Sequence, residues 1–209
     1  MRLVIASDTH GIHDAVTVPG GDVFIHAGDL TSVGDLTEIS NAAKWIRGLP
    51  HRHKIVIAGN HDRGFEEQPA TAKKLLGAED DITYLQDSGV VIDGIKFWGS
   101  PWQPEFLNWA FNLRRGVEIA RKWNLIPFGT DVLITHGPPM AILDYAHGEH
   151  HGCADLWKRV TDLAPKIHAF GHIHEGSGVE ERDGTTYVNA SICDGEYKAV
   201  NPCRVIDIG

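Results

Sequence analysis

Side chains that can bind metal ions follow five short apolar segments of the sequence. They lie in the strings DTH, GD, GNHD, THG and GHIH, which contribute Asp8, His10, Asp29, Asn60, His61, Asp62, His136, His172 and His174. Any one of these strings is a weak signal, but five in order, each after an apolar segment, indicate one shared site. The competing interpretation takes GD and GN as turn signals and the histidines as ordinary loop residues.

The types of side chain in these strings indicate which ions they would bind. Imidazole, carboxylate and carboxamide groups bind Mn, Fe, Co, Ni and catalytic Zn, whereas structural zinc sites usually contain cysteine. The three cysteines, Cys153, Cys193 and Cys203, lie outside the strings. Two divalent ions about 3.5–4 Å apart can hold the attacking and leaving oxygens of a phosphoryl displacement, and a carboxylate must bridge them. We expect Asp29 to be that bridge.

The segments before the strings must place these side chains together. They cover residues 2–7, 22–26, 54–58, 131–135 and 166–170 and are rich in Val and Ile. This pattern is typical of strands buried on both faces of a largely parallel sheet. The carboxyl ends of parallel strands lie at one edge of a sheet, where open α/β proteins bind ligands. Side chains from Asp8 to His174 should therefore converge on one crevice.

Helices and hairpins account for much of the remaining sequence. Apolar residues recur at helical spacing over residues 33–49, with Ser32 as the predicted N-cap, and further helices are predicted over 70–76, 117–123 and 154–163. The dipeptides Asp93-Gly94 and Asp183-Gly184 predict β-hairpins, so antiparallel strands join the parallel ones. We expect an α/β fold with a single domain over residues 1–209, in which two packed sheets of mixed strands form a sandwich flanked by helices.

The five strings match, in order, the motifs of the calcineurin-like metallophosphoesterase superfamily, which the sequence resembles over nearly its whole length. Longer strings, such as KIVIAGNH, GSPWQPEF, THGPP and GHIHEG, resemble the metallophosphoesterase-domain-containing branch known from animal brain proteins. Members of that branch are phosphodiesterases. The resemblance implies the four-layer metallophosphoesterase fold and hydrolysis of phosphodiesters.

The resemblance also implies a role for each side chain. One metal ion would be held by Asp8, His10, Asp29 and His174, and the other by Asp29, Asn60, His136 and His172. A hydroxide between the two ions would be the nucleophile. His61 would stabilise the transition state or protonate the leaving group, and Asp62 would orient the ring of His61. The expected cofactors are two divalent ions, with Mn favoured and Fe, Zn, Co or Ni as alternatives.

Four side chains outside the strings are candidate substrate contacts, namely Trp102, Asn112, Arg114 and His147. The aromatic residues between positions 98 and 111 are expected to pack in the core rather than to form a wall against a nucleobase. The loop that contains His147, His150 and His151 is expected to form a mobile rim over the site.

Composition excludes several classes of function. The 209 residues include 19 basic and 28 acidic side chains, which gives a net charge of −9 and argues against general nucleic-acid binding. No run of 18 apolar residues occurs and the sequence turns polar at Ser7, so we expect a cytoplasmic protein without a membrane partner. The oligomeric state stays open, and a homodimer is one option.

The sequence thus predicts a dinuclear metal-dependent phosphodiesterase that acts on small phosphodiesters, with cyclic nucleotides among the candidate substrates. One alternative is a phosphomonoesterase or protein phosphatase of the same superfamily. Protein phosphatases carry arginine in the string GDxVDRG, however, where this chain reads GDLTSVGD. The other alternative is a catalytically weak binding or scaffold protein, which is disfavoured because burying a cluster of polar groups is costly.

Overall fold

A computed structural model describes residues 1–78 and 81–209 of the chain. Five α-helices lie in this part, at Leu36–Gly48 (α1), Gly64–Glu67 (α2), Pro69–Leu76 (α3), Val117–Trp123 (α4) and Ala154–Leu163 (α5). None of these helices has both the length and the apolar character that crossing a membrane requires.

Fifteen strands occur in the same described residues. They are Arg2–Ala6 (β1), Val23–Ala27 (β2), His53–Ile57 (β3), Thr83–Tyr84 (β4), Ser88–Ile92 (β5), Ile95–Ser100 (β6), Gln103–Pro104 (β7), Asn112–Leu113 (β8), Val132–Thr135 (β9), Tyr145–Ala146 (β10), Glu149–His150 (β11), Ile167–Phe170 (β12), Gly178–Arg182 (β13), Thr185–Asn189 (β14) and Arg204–Asp207 (β15). The five predicted buried strands correspond to β1, β2, β3, β9 and β12, each within one residue of its predicted ends.

Two mixed sheets form the centre of the fold. The first has the strand order β15-β1-β2-β3-β4, and only β15 runs antiparallel to its neighbour. The second has the order β13-β14-β12-β9-β6-β5, with parallel central strands and an antiparallel strand at each edge. The two predicted hairpins supply those antiparallel edges, since β5 pairs with β6 and β13 pairs with β14.

The side chains of each sheet alternate between two cores. In β1, Leu3 and Ile5 face the other sheet, where they join Ile134 and Ala169 in the core between the sheets. Val4 lies in a second core with residues of α1 and α3, and a third core joins the second sheet to α4 and α5. The result is four layers, helix–sheet–sheet–helix, which confirms the predicted α/β sandwich flanked by helices.

The start of α1 differs from the prediction. The helix begins at Leu36, three residues later than expected, and its N-cap is Asp35, whose carboxylate accepts a hydrogen bond from the Glu38 backbone N–H at 2.8 Å. The hydroxyl of Ser32 instead donates to the carbonyl oxygen of His10 at 2.8 Å. The prediction of Ser32 as the N-cap is therefore wrong, because this residue belongs to the loop that packs against the DTH string.

Two histidines lie within the central strands and are fully buried. His26 contacts the hydroxyl of Thr9 through Nε2 at 3.0 Å, and His168 contacts the hydroxyl of Thr135 through Nε2 at 2.8 Å. The Thr135 hydroxyl donates its own hydrogen to the carbonyl oxygen of Gly137, so it accepts a hydrogen bond from His168. Burial lowers the pKa of each imidazole to about 3, so both rings stay neutral in the folded protein at neutral pH.

We predict that substitution of His168 by glutamine weakens the pH dependence of stability. In the unfolded chain His168 binds a proton below pH 6.5, whereas the folded ring stays neutral down to about pH 3. The titration of His168 alone therefore lowers the free energy of unfolding by about 1.4 kcal/mol as the pH drops from 7.5 to 5.5. Glutamine can donate to Thr135 but does not titrate.

Urea unfolding at pH 7.5 and 5.5, at one fixed metal concentration, measures this difference. His147→Gln is the matched control, because His147 is exposed. It should unfold with the pH dependence of the wild-type protein. If His168→Gln also kept the full wild-type pH dependence, burial of a neutral His168 would not be a source of acid sensitivity.

Candidate metal centre

The five strings meet at one edge of the sandwich. Three of them follow strands of the first sheet, β1, β2 and β3, and two follow strands of the second sheet, β9 and β12. Backbone hydrogen bonds join the loops to one another, from Asp8 N–H to Gly28 O at 3.0 Å and from Gly171 N–H to His136 O at 2.8 Å. Both sheets therefore contribute to one site, as the position of the strings at strand ends predicts.

Three groups of side chains in the described residues place possible metal-binding atoms within 4.8 Å of one another. They are Asp8 with His10 and His174, His10 with Asp29 and His61, and Asp29 with His136 and His172. Asp29 belongs to two of these groups, and His10 also belongs to two. Asp29 thus lies between two sets of imidazoles, which is the position that a bridging carboxylate needs.

The Asp29 carboxylate is buried and contacts residues from three other strings. Its Oδ2 atom lies 3.4 Å from Nε2 of His136 and 3.8 Å from Nε2 of His10, while Oδ1 accepts a hydrogen bond from the backbone N–H of His61 at 2.8 Å. The amide oxygen of Asn60 lies 2.8 Å from the same His136 nitrogen. The structure thus gathers the side chains expected to hold the second ion.

The Asp8 carboxylate occupies the corresponding place on the other side. It lies 3.5 Å from Nε2 of His174 and accepts hydrogen bonds from the His172 backbone N–H at 3.0 Å and from the Ser191 hydroxyl at 2.9 Å. The Nε2 atoms of His10 and His174 are 3.4 Å apart. Ser191 was not among the predicted residues, although it lies in the string VNAS after β14.

Two of the imidazoles, those of His136 and His174, are oriented as metal ligands are. Nδ1 of His136 donates to the carbonyl oxygen of Ala27 at 3.0 Å, and Nδ1 of His174 donates to that of Asp194 at 2.9 Å. A hydrogen on Nδ1 leaves the lone pair of Nε2 free to face the centre of the site. Together with the carboxylates and the Asn60 amide oxygen, these donors fit divalent ions of the Mn, Fe, Co, Ni and Zn type.

The carboxylates and imidazoles strongly perturb one another. Burial alone would raise the pKa of Asp29, but the charge of His136 outweighs it, and the pKa of Asp29 lies well below its usual range. Burial opposes protonation of His136 and His174 as well, yet the neighbouring carboxylates Asp29 and Asp8 raise the pKa of each ring to about 9. The carboxylates of Asp8 and Asp29 therefore stabilise positive charge at the centre, whether protonated imidazoles or divalent cations carry it.

The backbone is strained at four of the predicted ligands. Asp8, His10, Asp29 and His172 have φ angles of 54°, 42°, 55° and 70°. Non-glycine residues rarely adopt this left-handed conformation, which costs of order 1–3 kcal/mol at each position and is common at functional sites. Such a concentration of strain indicates that the placement of these side chains is under functional constraint.

His61 lies at the same site on the loop after β3. Its Nδ1 is 2.6 Å from the carbonyl oxygen of Ser32, its ring stacks on the indole of Trp109 with a centroid distance of 4.0 Å, and the ring of His10 meets it edge-on at 4.6 Å. One nitrogen of His61 lies within 4.8 Å of possible metal-binding atoms of His10 and Asp29. The structure therefore brings His61 to the centre, and its catalytic role remains a prediction.

Asp62 lies elsewhere than expected. Its buried carboxylate accepts hydrogen bonds from the backbone N–H groups of Leu30, Thr31 and Gly59 and from the Thr31 hydroxyl. Burial, together with the charge of Asp29, raises its pKa to about 6. No hydrogen bond joins the described side chains of Asp62 and His61. The prediction that Asp62 orients the His61 ring is therefore wrong, and Asp62 instead joins the loops after β2 and β3.

Two of the candidate substrate contacts have structural roles. The indole N–H of Trp102 donates to the Asp87 carboxylate at 2.8 Å, and the ring packs edge-on against buried Phe111. The amide of Asn112 bonds to the backbone of Phe106 and Leu107. Both side chains stabilise the loop that follows β6, so the structure does not support their assignment as substrate contacts.

The other two candidates are exposed. The guanidinium group of Arg114 makes no hydrogen bond or ion pair with the parts of the chain that the structure describes, and its backbone carbonyl accepts a hydrogen bond from the N–H of Ile119 at 3.2 Å. His147 lies at the turn between β10 and β11, and its Nε2 is 3.5 Å from the carboxylate of Glu175, which follows His174 in sequence. His147 thus contacts the residue after a predicted metal ligand, and its place at the rim of the centre stays a prediction. In the described residues nothing links the Arg114 side chain to the site.

Three aromatic rings at the site were not predicted to be there. The exposed Phe106 ring lies 6.1 Å from His172, Trp109 stacks on His61, and the ring of Tyr197 meets those of His10 and His174 at 4.8 and 5.6 Å. The expectation that the 98–111 segment packs in the core holds for Phe111 but not for Phe106. Tyr197 had no sequence signal, because the folding of its loop onto His174 is a tertiary feature.

Comparison with known proteins shows the family of the chain that carries this site. The sequence profile described as "Calcineurin-like phosphoesterase" matches residues 1–176. The chain belongs to the calcineurin-like phosphoesterase family. As a member it is a metal-dependent phosphoester hydrolase, in keeping with the donors gathered at its strand ends.

Curated relatives agree with this assignment. The human Metallophosphoesterase domain-containing protein 1 is 43% identical over 230 residues, an alignment that covers 99% of this chain and 71% of the human protein. UPF0046 protein K07C11.7 of Caenorhabditis elegans is 42% identical over 205 residues, covering 93% of this chain and 70% of the relative. Both alignments thus cover nearly the whole of this chain.

A solved structure shows the same fold at low sequence identity. The crystal structure of TT1561 of Thermus thermophilus superposes with a TM-score of 0.64 at 14% identity, covering 90% of this chain and 88% of the other. This likeness concerns the arrangement of the two sheets and their helices, and it says nothing of substrates.

We predict that Asp29→Asn weakens binding of both metal ions in this phosphoesterase. Asparagine keeps the shape of aspartate but removes the charge that offsets repulsion between two divalent ions. After equilibrium dialysis against Mn²⁺, elemental analysis should give nearly two ions per wild-type chain and well under one per variant chain. Asp207→Asn, at an exposed ion pair with Arg2, should retain both ions. Two tightly bound ions in Asp29→Asn would exclude Asp29 as the bridge.

Proposed function

We propose that this chain is a phosphodiesterase that hydrolyses small phosphodiesters, with cyclic nucleotides among its candidate substrates. The observation that carries the proposal is the pair of buried carboxylates, Asp8 and Asp29, with imidazoles gathered around both. A centre of this kind suits two divalent ions that hold the attacking and leaving oxygens of a phosphoryl group. Manganese is the proposed working metal among the divalent ions that oxygen and nitrogen donors bind.

The charges around the centre favour a diester over a monoester. Within residues 1–78 and 81–209, the partners of Asp8 and Asp29 are imidazoles, backbone N–H groups and a serine hydroxyl, and no arginine or lysine pairs with either carboxylate. A phosphate monoester dianion carries extra negative charge, which phosphatases commonly neutralise with a guanidinium group. A diester has a single negative charge and has less need of such a group.

Each side chain has a proposed task. Asp8, His10 and His174 would hold one ion, Asn60, His136 and His172 would hold the other, and Asp29 would join both. When bound, the ions would withdraw charge from the phosphoryl oxygens and make an attacking water more acidic. The strained loops and the hydrogen bonds to Ala27 and Asp194 keep the ligands in place.

His61 would supply the proton that the leaving group needs. The oxygen of a water forms a new bond to phosphorus, and the P–O bond to the leaving group breaks with its electron pair on the leaving oxygen. That oxygen takes the Nε2 proton of a His61 ring that carries a hydrogen on both nitrogens, and the ring regains this proton from the consumed water. Nδ1 of His61 is engaged by the Ser32 carbonyl, so Nε2 is the nitrogen available for this transfer.

We predict that diesters are better substrates than monoesters. With Mn²⁺ present, kcat/KM for bis(4-nitrophenyl) phosphate should exceed that for 4-nitrophenyl phosphate by about tenfold or more, a difference of about 1.4 kcal/mol in transition-state stabilisation. Both substrates release the same nitrophenolate, so a difference in leaving group does not enter the comparison. A higher kcat/KM for the monoester would favour a phosphatase instead. Metal-loaded protein that hydrolyses neither ester would favour a binding or scaffold role.

A further inference from the structure

The ring of His61 is held on one face by the indole of Trp109. The two rings are nearly parallel, with an interplanar angle of 26° and a centroid distance of 4.0 Å. Trp109 is half-buried, so this contact occurs partly out of solvent. Stacking at this distance is attractive for a neutral imidazole, and the attraction increases when the imidazole carries a positive charge.

The segment that carries Trp109 is attached directly to the GNHD loop. The backbone N–H of Ala110, the next residue, donates to the carbonyl oxygen of Asn60 at 3.1 Å, and the N–H of Phe111 donates to the Glu66 carboxylate at 3.0 Å. Phe111 is buried and anchors the segment in the core. The position of the indole is therefore coupled to that of Asn60, the residue immediately before His61.

Three contacts together leave the His61 ring little freedom. Trp109 covers one face, the carbonyl oxygen of Ser32 holds Nδ1 at 2.6 Å, and the ring of His10 meets it edge-on at 4.6 Å. Asp62, the neighbour in sequence, has its carboxylate bound to the loops after β2 and β3 instead. The ring is therefore oriented by Trp109, Ser32 and His10, with a more distant edge-on contact to Tyr197 at 6.2 Å between ring centroids, and Trp109 is the partner that lies flat against its face.

We propose that Trp109 is a positioning residue that aligns His61 for proton transfer to the leaving group. This inference rests on the proposed function of the site, in which His61 is the proton donor. Proton transfer requires a donor within hydrogen-bond reach of the leaving oxygen, and small displacements of a catalytic group cost much of the rate. Trp109 acts on the rate through His61, and the face that it turns toward His61 is closed to a substrate.

A double-mutant cycle between Trp109 and His61 tests this role. The variants are Trp109→Leu, His61→Ala and the two combined, assayed with diphenyl phosphate, which has a poor leaving group, and with bis(4-nitrophenyl) phosphate, which has a good one. Trp109→Leu should lower kcat for diphenyl phosphate roughly ten- to hundredfold, lower it less for the nitrophenyl ester, and leave KM within about twofold. In the His61→Ala background it should change kcat by less than about twofold.

Further variants separate positioning from stability. Trp109→Phe keeps a stacking ring and should stay within about threefold of wild-type kcat. Trp157→Leu makes the same exchange at a half-buried tryptophan on α5, next to Tyr187, and should leave both kcat values within about twofold. Thermal unfolding and metal content accompany every assay, and Trp109→Met replaces Trp109→Leu in the cycle if the leucine variant does not fold.

Several results would overturn the proposal. If the factor by which kcat falls in the double variant equalled the product of the factors for the two single variants, Trp109 would act independently of His61. If Trp109→Leu lowered kcat equally for the two esters, Trp109 would not act through protonation of the leaving group. If the variant raised KM and left kcat unchanged, the indole would be a substrate contact instead. Wild-type protein that binds two ions and hydrolyses neither diester would overturn the proposed function itself, and the role of Trp109 with it.

Discussion

The carboxylates of Asp8 and Asp29 are buried close together, and in the described parts of the chain no arginine or lysine pairs with either of them. Uncompensated negative charge in a protein interior is costly. The protein offsets part of this cost with backbone N–H groups, the Ser191 hydroxyl and the imidazoles, whose pKa values the carboxylates raise. The negative charge of Asp8 and Asp29 that these groups leave uncompensated favours the binding of divalent cations at the centre.

Placing two carboxylates among these rings constrains the backbone around them. A Cβ atom at Gly171 would collide with the Asp8 carboxylate, and one at Gly59 would collide with that of Asp29. The glycines of GHIH and GNHD are therefore required by close packing against the acidic groups. Asp8 and Asp29 themselves have left-handed backbone, and a strained conformation of this kind persists only where the surrounding packing, here that of the two sheets, holds it.

The parts of the structure that depend on local pattern could be predicted from the sequence. Buried strands such as β2 follow from runs of Val and Ile, and side chains at their carboxyl ends had to meet because the strands are parallel. The place of Asp62 could not be predicted, since its partners Leu30 and Thr31 lie on another loop. The aromatic segment around Trp109 has no regular period, and its contacts arise only after tertiary folding.

The Asp29 carboxylate should lie between two metal ions where the two sheets meet. Anomalous X-ray scattering from crystals grown with Mn²⁺ tests it most directly, because it locates manganese without reference to the protein coordinates. The account predicts two peaks about 3.5–4 Å apart with the Asp29 carboxylate between them, one beside His174 and the other beside His136. A single peak, or two peaks that do not share Asp29, would contradict it.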